Sequence, residues 1–194
     1  MIKLIILTAL LLNLSSCGWQ SIPQNKNQVD AALAEVTNQY KRRSDLIPNL
    51  VATVKGYAKQ EQETLVAVTE ARAKATSIQI DPAKVNPDTM KKFQQAQGEL
   101  SQALGRLMVV SEKYPDLKSN QNFMDLQAQL EGTENRITVS RNRLIDAIKE
   151  FNNQVTVPPT SWTNSMMYHY EKMAQWDVSA EEKKTIEQAP KVTF

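Results

Sequence analysis

The sequence predicts an all-α protein: an antiparallel four-helix bundle with long helices. Three observations carry this. Only 5 of the 194 residues are glycine, below the usual share of about 7%, so turn-dense sheets are disfavoured. Apolar residues recur at three- and four-residue intervals over four long stretches. Prolines punctuate the chain at Pro48, Pro87, Pro115 and Pro158-Pro159, which argues against one continuous two-stranded coiled coil. With 41% apolar residues, the length suits one folded core.

Met1-Ile2-Lys3 and the apolar run Leu4–Leu12 have the size of a secretory signal. They are too short for a membrane span, which needs about 20 apolar residues. Leu14-Ser15-Ser16-Cys17 resembles the bacterial lipobox, in which Cys17 takes acyl chains such as palmitate and the peptide bond before it is cut. The alternative is an uncleaved short anchor ending in an ordinary cysteine. Residues 1–16 are thus expected to be a signal peptide, 17–27 a lipidated tether, 28–157 the helical body and 158–194 a C-terminal tail. Gly18 after Cys17 permits sorting to an outer membrane.

Val29, Leu33, Val36 and Tyr40 share one stripe and predict a first helix over roughly 25–44, ending in the cations Lys41, Arg42 and Arg43. Asp45 is expected to cap a second helix with Pro48 in its first turn; a single helix kinked at Pro48 is the competing reading. The second helix follows Ile47, Leu50, Val51, Val54, Ala58, Leu65, Val68 and Ala75 to about Ser77. After a connector, Asn86-Pro87-Asp88 supplies a cap, a first-turn proline and an acid. The third helix then carries Phe93, Leu100, Leu104, Leu107 and Met108 towards Tyr114. The fourth holds its alternation from Phe123 to Val155, with Thr133 and Ser140 on the stripe able to bond back to carbonyls.

Beyond Pro158-Pro159 the character changes: Trp162, Met166, Met167, Tyr168, Tyr170, Met173 and Trp176 fall within one short segment. One reading folds this tail back over an apolar groove. The other makes it an adaptable surface for a partner or the bilayer interface. Ser179–Glu182 reads as a capping box, and Ala189–Phe194 as an extended end.

The run from Lys41 through Asp45, Pro48 and Val51, continuing past Gly56-Tyr57-Ala58 to Ala71-Arg72, is similar to the signature of the LemA family. So are Tyr114–Lys118, Asn122-Phe123 with Leu126-Gln127, and Leu130–Ile137. The C-terminal Ala189–Val192 with Phe194 matches more loosely. The resemblance implies a membrane-attached helical bundle of the bacterial envelope, in a family some of whose members are linked to building membrane compartments. No catalytic residues are assigned in that family, so none is carried over. The lipobox stands where family members usually carry an uncleaved membrane helix, making this a lipoprotein-type variant.

Chemistry is bounded by composition. Lys and Arg number 23 against 21 Asp and Glu, for a net charge of +2, too small a field to recruit nucleic acid. One cysteine and one histidine exclude disulfide scaffolds, Cys/His zinc sites and a Cys-His pair. No cofactor, metal or catalytic set is expected. Arg42, Arg43, Asp45 and Asn49 cluster in sequence at the first turn of the second helix, and Glu131, Glu134, Asn135 and Arg141 on the fourth helix. If the clusters meet, buried ion pairs fix helix register; the functional reading makes them a polar patch for a partner or anionic ligand. With the tail residues Trp162, Met166, Met167, Tyr168 and Trp176, these are the candidate partner-binding positions, and Cys17 the lipidation site. The expected function is a non-enzymatic, membrane-anchored scaffold or adaptor facing the periplasm or cell exterior. Its expected partner is another envelope protein, with self-association open; the alternative is a binding module for a small ligand, lipid or wall fragment.

Overall fold

The computed structural model describes residues 19–80 and 86–176. The signal segment, Cys17, the end of the connector before Asn86, the Ser179–Glu182 box and the Ala189–Phe194 end lie outside the described residues. Every regular element among the described residues is helical: α1 (Ser21–Tyr57), α2 (Gln62–Ser77), α3 (Pro87–Ser111), the single turn α4 (Pro115–Lys118), α5 (Gln121–Thr156) and the single turn α6 (Thr160–Thr163), which runs into a π-helical turn at Asn164–Tyr168. No described helix is long and apolar enough to cross a membrane. The chain divides into two compact units, the first holding 19–34 and 141–176 and the second 35–80 and 86–140.

Helix α1 starts at Ser21, so residues 21–27, read as tether, form helical turns. Ile22 is buried there, which explains the early start. The larger correction concerns Pro48. It does not open a helix capped by Asp45; α1 runs through it without interruption for 37 residues. A proline inside a helix removes the N–H that would bond the carbonyl four residues back, here that of Ser44. Ser44 is buried, so an unmet carbonyl there would be costly. Arg72 of α2 supplies the missing donor, its Nε 2.8 Å from the Ser44 oxygen. The apolar seam can therefore continue from Val36 and Tyr40 across Pro48 to Ile47, Leu50 and Val54, all buried.

The chain breaks instead at Ala58–Glu61. Gly56 weakens the helix just before this point, and Ala58 and Leu65 are separated by six polar residues that give a continuing helix nothing to bury. In the second unit α2 then packs heavily on α3. Ala58, Leu65, Val68, Ala75, Leu100, Leu104, Leu107, Leu117 and Phe123 belong to one core cluster with Ile47, Leu50 and Val54.

Helix α3 begins as its sequence predicts: the Asn86 side chain accepts from the Thr89 N–H at 2.7 Å with Pro87 at the first helical position. Asn120 does the same for α5 through the Phe123 N–H. Helix α5 extends for 36 residues, with Thr133 and Ser140 back-bonded to the carbonyls of Gln129 and Arg136. Both hydroxyls are thereby satisfied on a buried stripe.

The Pro48–Arg72 relation is testable. Arg72→Met should cost about 1–3 kcal/mol, because it leaves a buried carbonyl unmet. In a Pro48→Ala background, where the helix regains its own N–H, that cost should largely vanish. Equal effects of Arg72→Met in both backgrounds, measured by chemical denaturation, would overturn the assignment.

Candidate functional site

The most elaborate polar cluster lies in the second unit and centres on Arg43. The seam of α1 places it at a core position, between Tyr40 and Ile47, and only 1% of its surface is exposed. A guanidinium there needs several acceptors. Nη1 donates to Ser101 Oγ at 2.8 Å and to Glu134 Oε2 at 2.9 Å. Nη2 donates to the Gln97 side-chain oxygen at 2.7 Å and its main-chain carbonyl at 3.2 Å. The guanidinium carbon also stands 5.1 Å from the centroid of the Tyr40 ring, which itself meets Phe93 edge-on at 5.2 Å. Nε is buried without a hydrogen-bond partner. Arg43 thus ties α1 to α3 and α5. Glu134 is 51% exposed at its side chain, so the ion pair joins a dry cation to a wet anion.

Of the residues singled out from sequence, Arg43 and Glu134 are brought together. Arg42, Asp45, Asn49 and Glu131 stay on the surface. Asp45 pairs with Lys41 one turn back, both exposed, an arrangement worth little. Glu131 accepts from Gln127 on its own helix. Arg141 belongs to the first unit, its guanidinium 5.6 Å from the Trp176 ring centroid.

Gln97, Ser101 and Tyr40 were not legible as partners of Arg43. Neither was the link at the far turn of the second unit, where Tyr114 donates to Glu61 Oε1 at 2.9 Å and accepts from Gln60 at 2.8 Å. Loss of hydration and the hydrogen bond to Glu61 raise the Tyr114 hydroxyl above its ordinary pKa. Between α2 and α3, Thr64, Gln102, Gly105, Arg106, Val109 and Val110 line an open groove of about 620 Å³, within the size range of small-molecule sites.

In the first unit the tail returns along α5. Two buried asparagines hold it. Asn152 accepts from the Met173 N–H at 2.8 Å and donates to its carbonyl at 2.9 Å. Asn164 does the same to Tyr170, at 3.0 and 2.9 Å. Phe151 meets Tyr170 edge-on and Trp176 is buried. Trp162, Met166 and Met167 are exposed, while the Tyr168 hydroxyl donates to the Trp19 carbonyl at 2.6 Å. The tail residues therefore divide: Trp176 packs inward, whereas Trp162, Met166 and Met167 face outward.

The LemA family sequence model matches residues 32–194. The chain belongs to the LemA family. It is also similar to "Protein LemA" of Metamycoplasma hominis, 25% identical over 141 residues that cover 73% of this chain. The same segment covers 59% of that relative, so the chain spans less than two thirds of its length. The stretch from Lys41 to Arg72 that resembles the family signature includes Arg43, Pro48 and Arg72, the residues on which the α1 contacts turn.

Removing Arg43 should destabilise strongly. Arg43→Ala leaves a cavity and an unmet buried Gln97, at a cost of about 3–5 kcal/mol. Glu134→Ala should cost about 1–2 kcal/mol, because the carboxylate already reaches water and Ser101 and Gln97 remain. Arg43→Met, which keeps the stem volume without a charge, should lie well above Arg43→Ala in stability. A ranking by thermal melts with Glu134→Ala the worst of the three would contradict the geometry. In alkali, the raised Tyr114 pKa adds stability that is complete below the unfolded value of about 10 and fades as pH climbs through the folded one; Tyr114→Phe should remove that alkaline slope from a denaturation series.

Proposed function

We propose that this LemA-family chain is a lipoprotein of the bacterial envelope, held to a membrane by acylated Cys17 and facing the periplasm or cell exterior. Its helical body acts without catalysis as a scaffold or adaptor for another envelope protein. The supporting observation is how Arg43 is used. Its two terminal nitrogens bond to neighbouring helices, so the main polar cluster serves rigidity, not a reacting substrate. Arg42, Asp45, Asn49 and Glu131 are left exposed nearby in sequence on α1 and α5 as the partner-facing set.

The second unit is read as an antiparallel four-helix bundle of α1, α2, α3 and the start of α5. Supporting this, Arg72 reaches Ser44 across the α1–α2 turn, Gln97 lies by Ala75 across α2–α3, and Tyr57 lies by Asn120 while Arg43 lies by Glu134. With Lys74 also lying by Glu99, these contacts support opposite directions for α2 against α3 and for α1 against α5, and the tight turn at Ala58–Glu61 supports the same for α1 against α2.

The ligand-module reading keeps one specific support, the groove at Gly105. A Cβ added there meets nothing within 4 Å, so Gly105→Leu should fill the groove without unfolding the helix and gain slightly in helix propensity.

Crosslinking the anchored protein in intact cells should capture one discrete protein, and Arg42→Glu with Asp45→Lys should abolish that product without lowering the melting temperature. Cys17→Ala should abolish both the acyl mass and the cut before residue 17, read by mass spectrometry of the purified protein. A product that survives the charge reversals counts against the adaptor surface. For the ligand reading, lipids or wall fragments should raise the melting temperature by mass action, and Gly105→Leu should erase that rise; a flat response to all of them removes the reading.

A further inference from the structure

The first unit ends in a surface of unusual composition. From Phe151 through Tyr170 there is no Asp, Glu, Lys or Arg, and none from Trp19 to Asn25, in a chain that is 23% charged. The fold brings these two charge-free segments to the same end. Ser21 Oγ donates to Gln154 Oε1 at 2.9 Å, and Tyr168 donates to the Trp19 carbonyl. Ile22, Phe151 and Val155 of these segments are buried, but five other large apolar side chains point outward: Trp162 is 65% and Met166 81% exposed, and Trp19, Val157 and Met167 are exposed as well.

That exposure is held in place. Asn164 and Asn152 fix the backbone that follows the turn, and the π-helical turn closes on the His169 N–H, which bonds Asn164 O at 2.8 Å. The turn cannot collapse inward to hide its indole and thioethers without breaking these bonds.

We infer that this charge-free end, formed by Trp162, Met166 and Met167 and tied to Trp19 through Tyr168, seats in the headgroup–acyl boundary of the bilayer. The inference rests on the reading of Cys17 as acylated. Cys17 precedes Trp19 by two residues, a span of at most about 7 Å, so an acyl chain there brings this end to the membrane. Tryptophan and tyrosine favour that boundary because one edge is apolar and the other bonds to water or headgroups. Flexible methionines fill irregular lipid packing. Neither segment carries a carboxylate, ammonium or guanidinium, so seating their side chains desolvates no such ion of theirs. Several apolar side chains also supplement an acyl anchor, which is marginal when it is a single chain, and they set the orientation of the body on the surface.

The test uses full-length protein purified from cell membranes and reconstituted in phosphatidylethanolamine/phosphatidylglycerol vesicles containing acyl-brominated lipid. Trp19→Phe with Trp176→Phe leaves Trp162 as the sole indole; Trp19→Phe with Trp162→Phe leaves the buried Trp176 as control. An indole about 5–10 Å into the boundary should lose much of its emission, so strong quenching of Trp162 beside unquenched Trp176 supports the inference. Trp162 no more quenched than Trp176 overturns it, as does crosslinking from position 166 to protein instead of lipid. Adding Met166→Glu and Met167→Glu should relieve the quenching while leaving the fold intact, since both side chains are exposed. Mass spectrometry of Cys17 judges the anchor separately. If no acyl mass is found, the anchor reading fails, and the same quenching is measured on protein coupled through its single cysteine to a maleimide phospholipid, so the two ideas fail independently.

Discussion

The second unit depends on keeping α1 continuous through Pro48. A proline in mid-helix leaves one carbonyl without its partner and usually ends or kinks the helix at a cost of about 3 kcal/mol or more. Here the carbonyl belongs to Ser44, inside the core, and Arg72 donates to it from α2. The repair comes from another helix, so α1 is intact past Pro48 only when α2 is docked. Secondary structure and tertiary packing are thus one event in this region, and the α1–α2 pair should form and melt together.

Next to that repair sits Arg43, one residue before Ser44, and the two work in opposite directions. Arg72 brings a donor to an acceptor left bare by proline. Arg43 brings a charge into a core position and must be supplied with acceptors from α3 and α5. A buried ion is weak evidence of net stability, because its desolvation offsets much of the attraction. Its effect is better understood as discrimination: a shift of α3 by one turn would remove Gln97 and Ser101 from the guanidinium and leave a dry charge unmet. Apolar seams alone tolerate such slips, since leucine packs nearly as well one turn along. The pair of arginines therefore selects one register out of several that the apolar pattern permits.

Much of this was legible in sequence, and the reasons differ by residue. The apolar seams of α1 and α5, the Asn86 cap and the back-bonding of Thr133 and Ser140 all depend on local spacing, which a sequence displays directly. The sequence offers the meeting of Arg43 and Glu134 only as one of two readings of its polar clusters, because nothing local tells the buried Arg43 from the exposed Arg42. The passage of α1 through Pro48 was not, because the donor that permits it lies 28 residues away in Arg72. The break at Ala58–Glu61, by contrast, has local causes in Gly56 and the six polar residues after Ala58. Gln97 carried no signal of its own: it is one of several glutamines on α3, and only the register picks it out. Asn152 and Asn164 were silent for a similar reason, since an asparagine that bonds another residue's main chain has no partner type to match.

Those two asparagines also explain why the tail divides into an inward and an outward part. Left to the hydrophobic effect, Trp162, Met166 and Met167 would turn inward, each side chain gaining roughly 1.5–3 kcal/mol on full burial. An amide that bonds both the N–H and the C=O of one other residue fixes backbone direction without regard to which side chains it carries. Asn164 does this to Tyr170 and Asn152 to Met173, so Trp176 is delivered to its buried site beside Arg141 while the turn before it is held away. The exposed apolar surface is thus a consequence of polar contacts that are themselves buried and complete. Such a surface is available to an apolar environment without any rearrangement of the backbone that carries it.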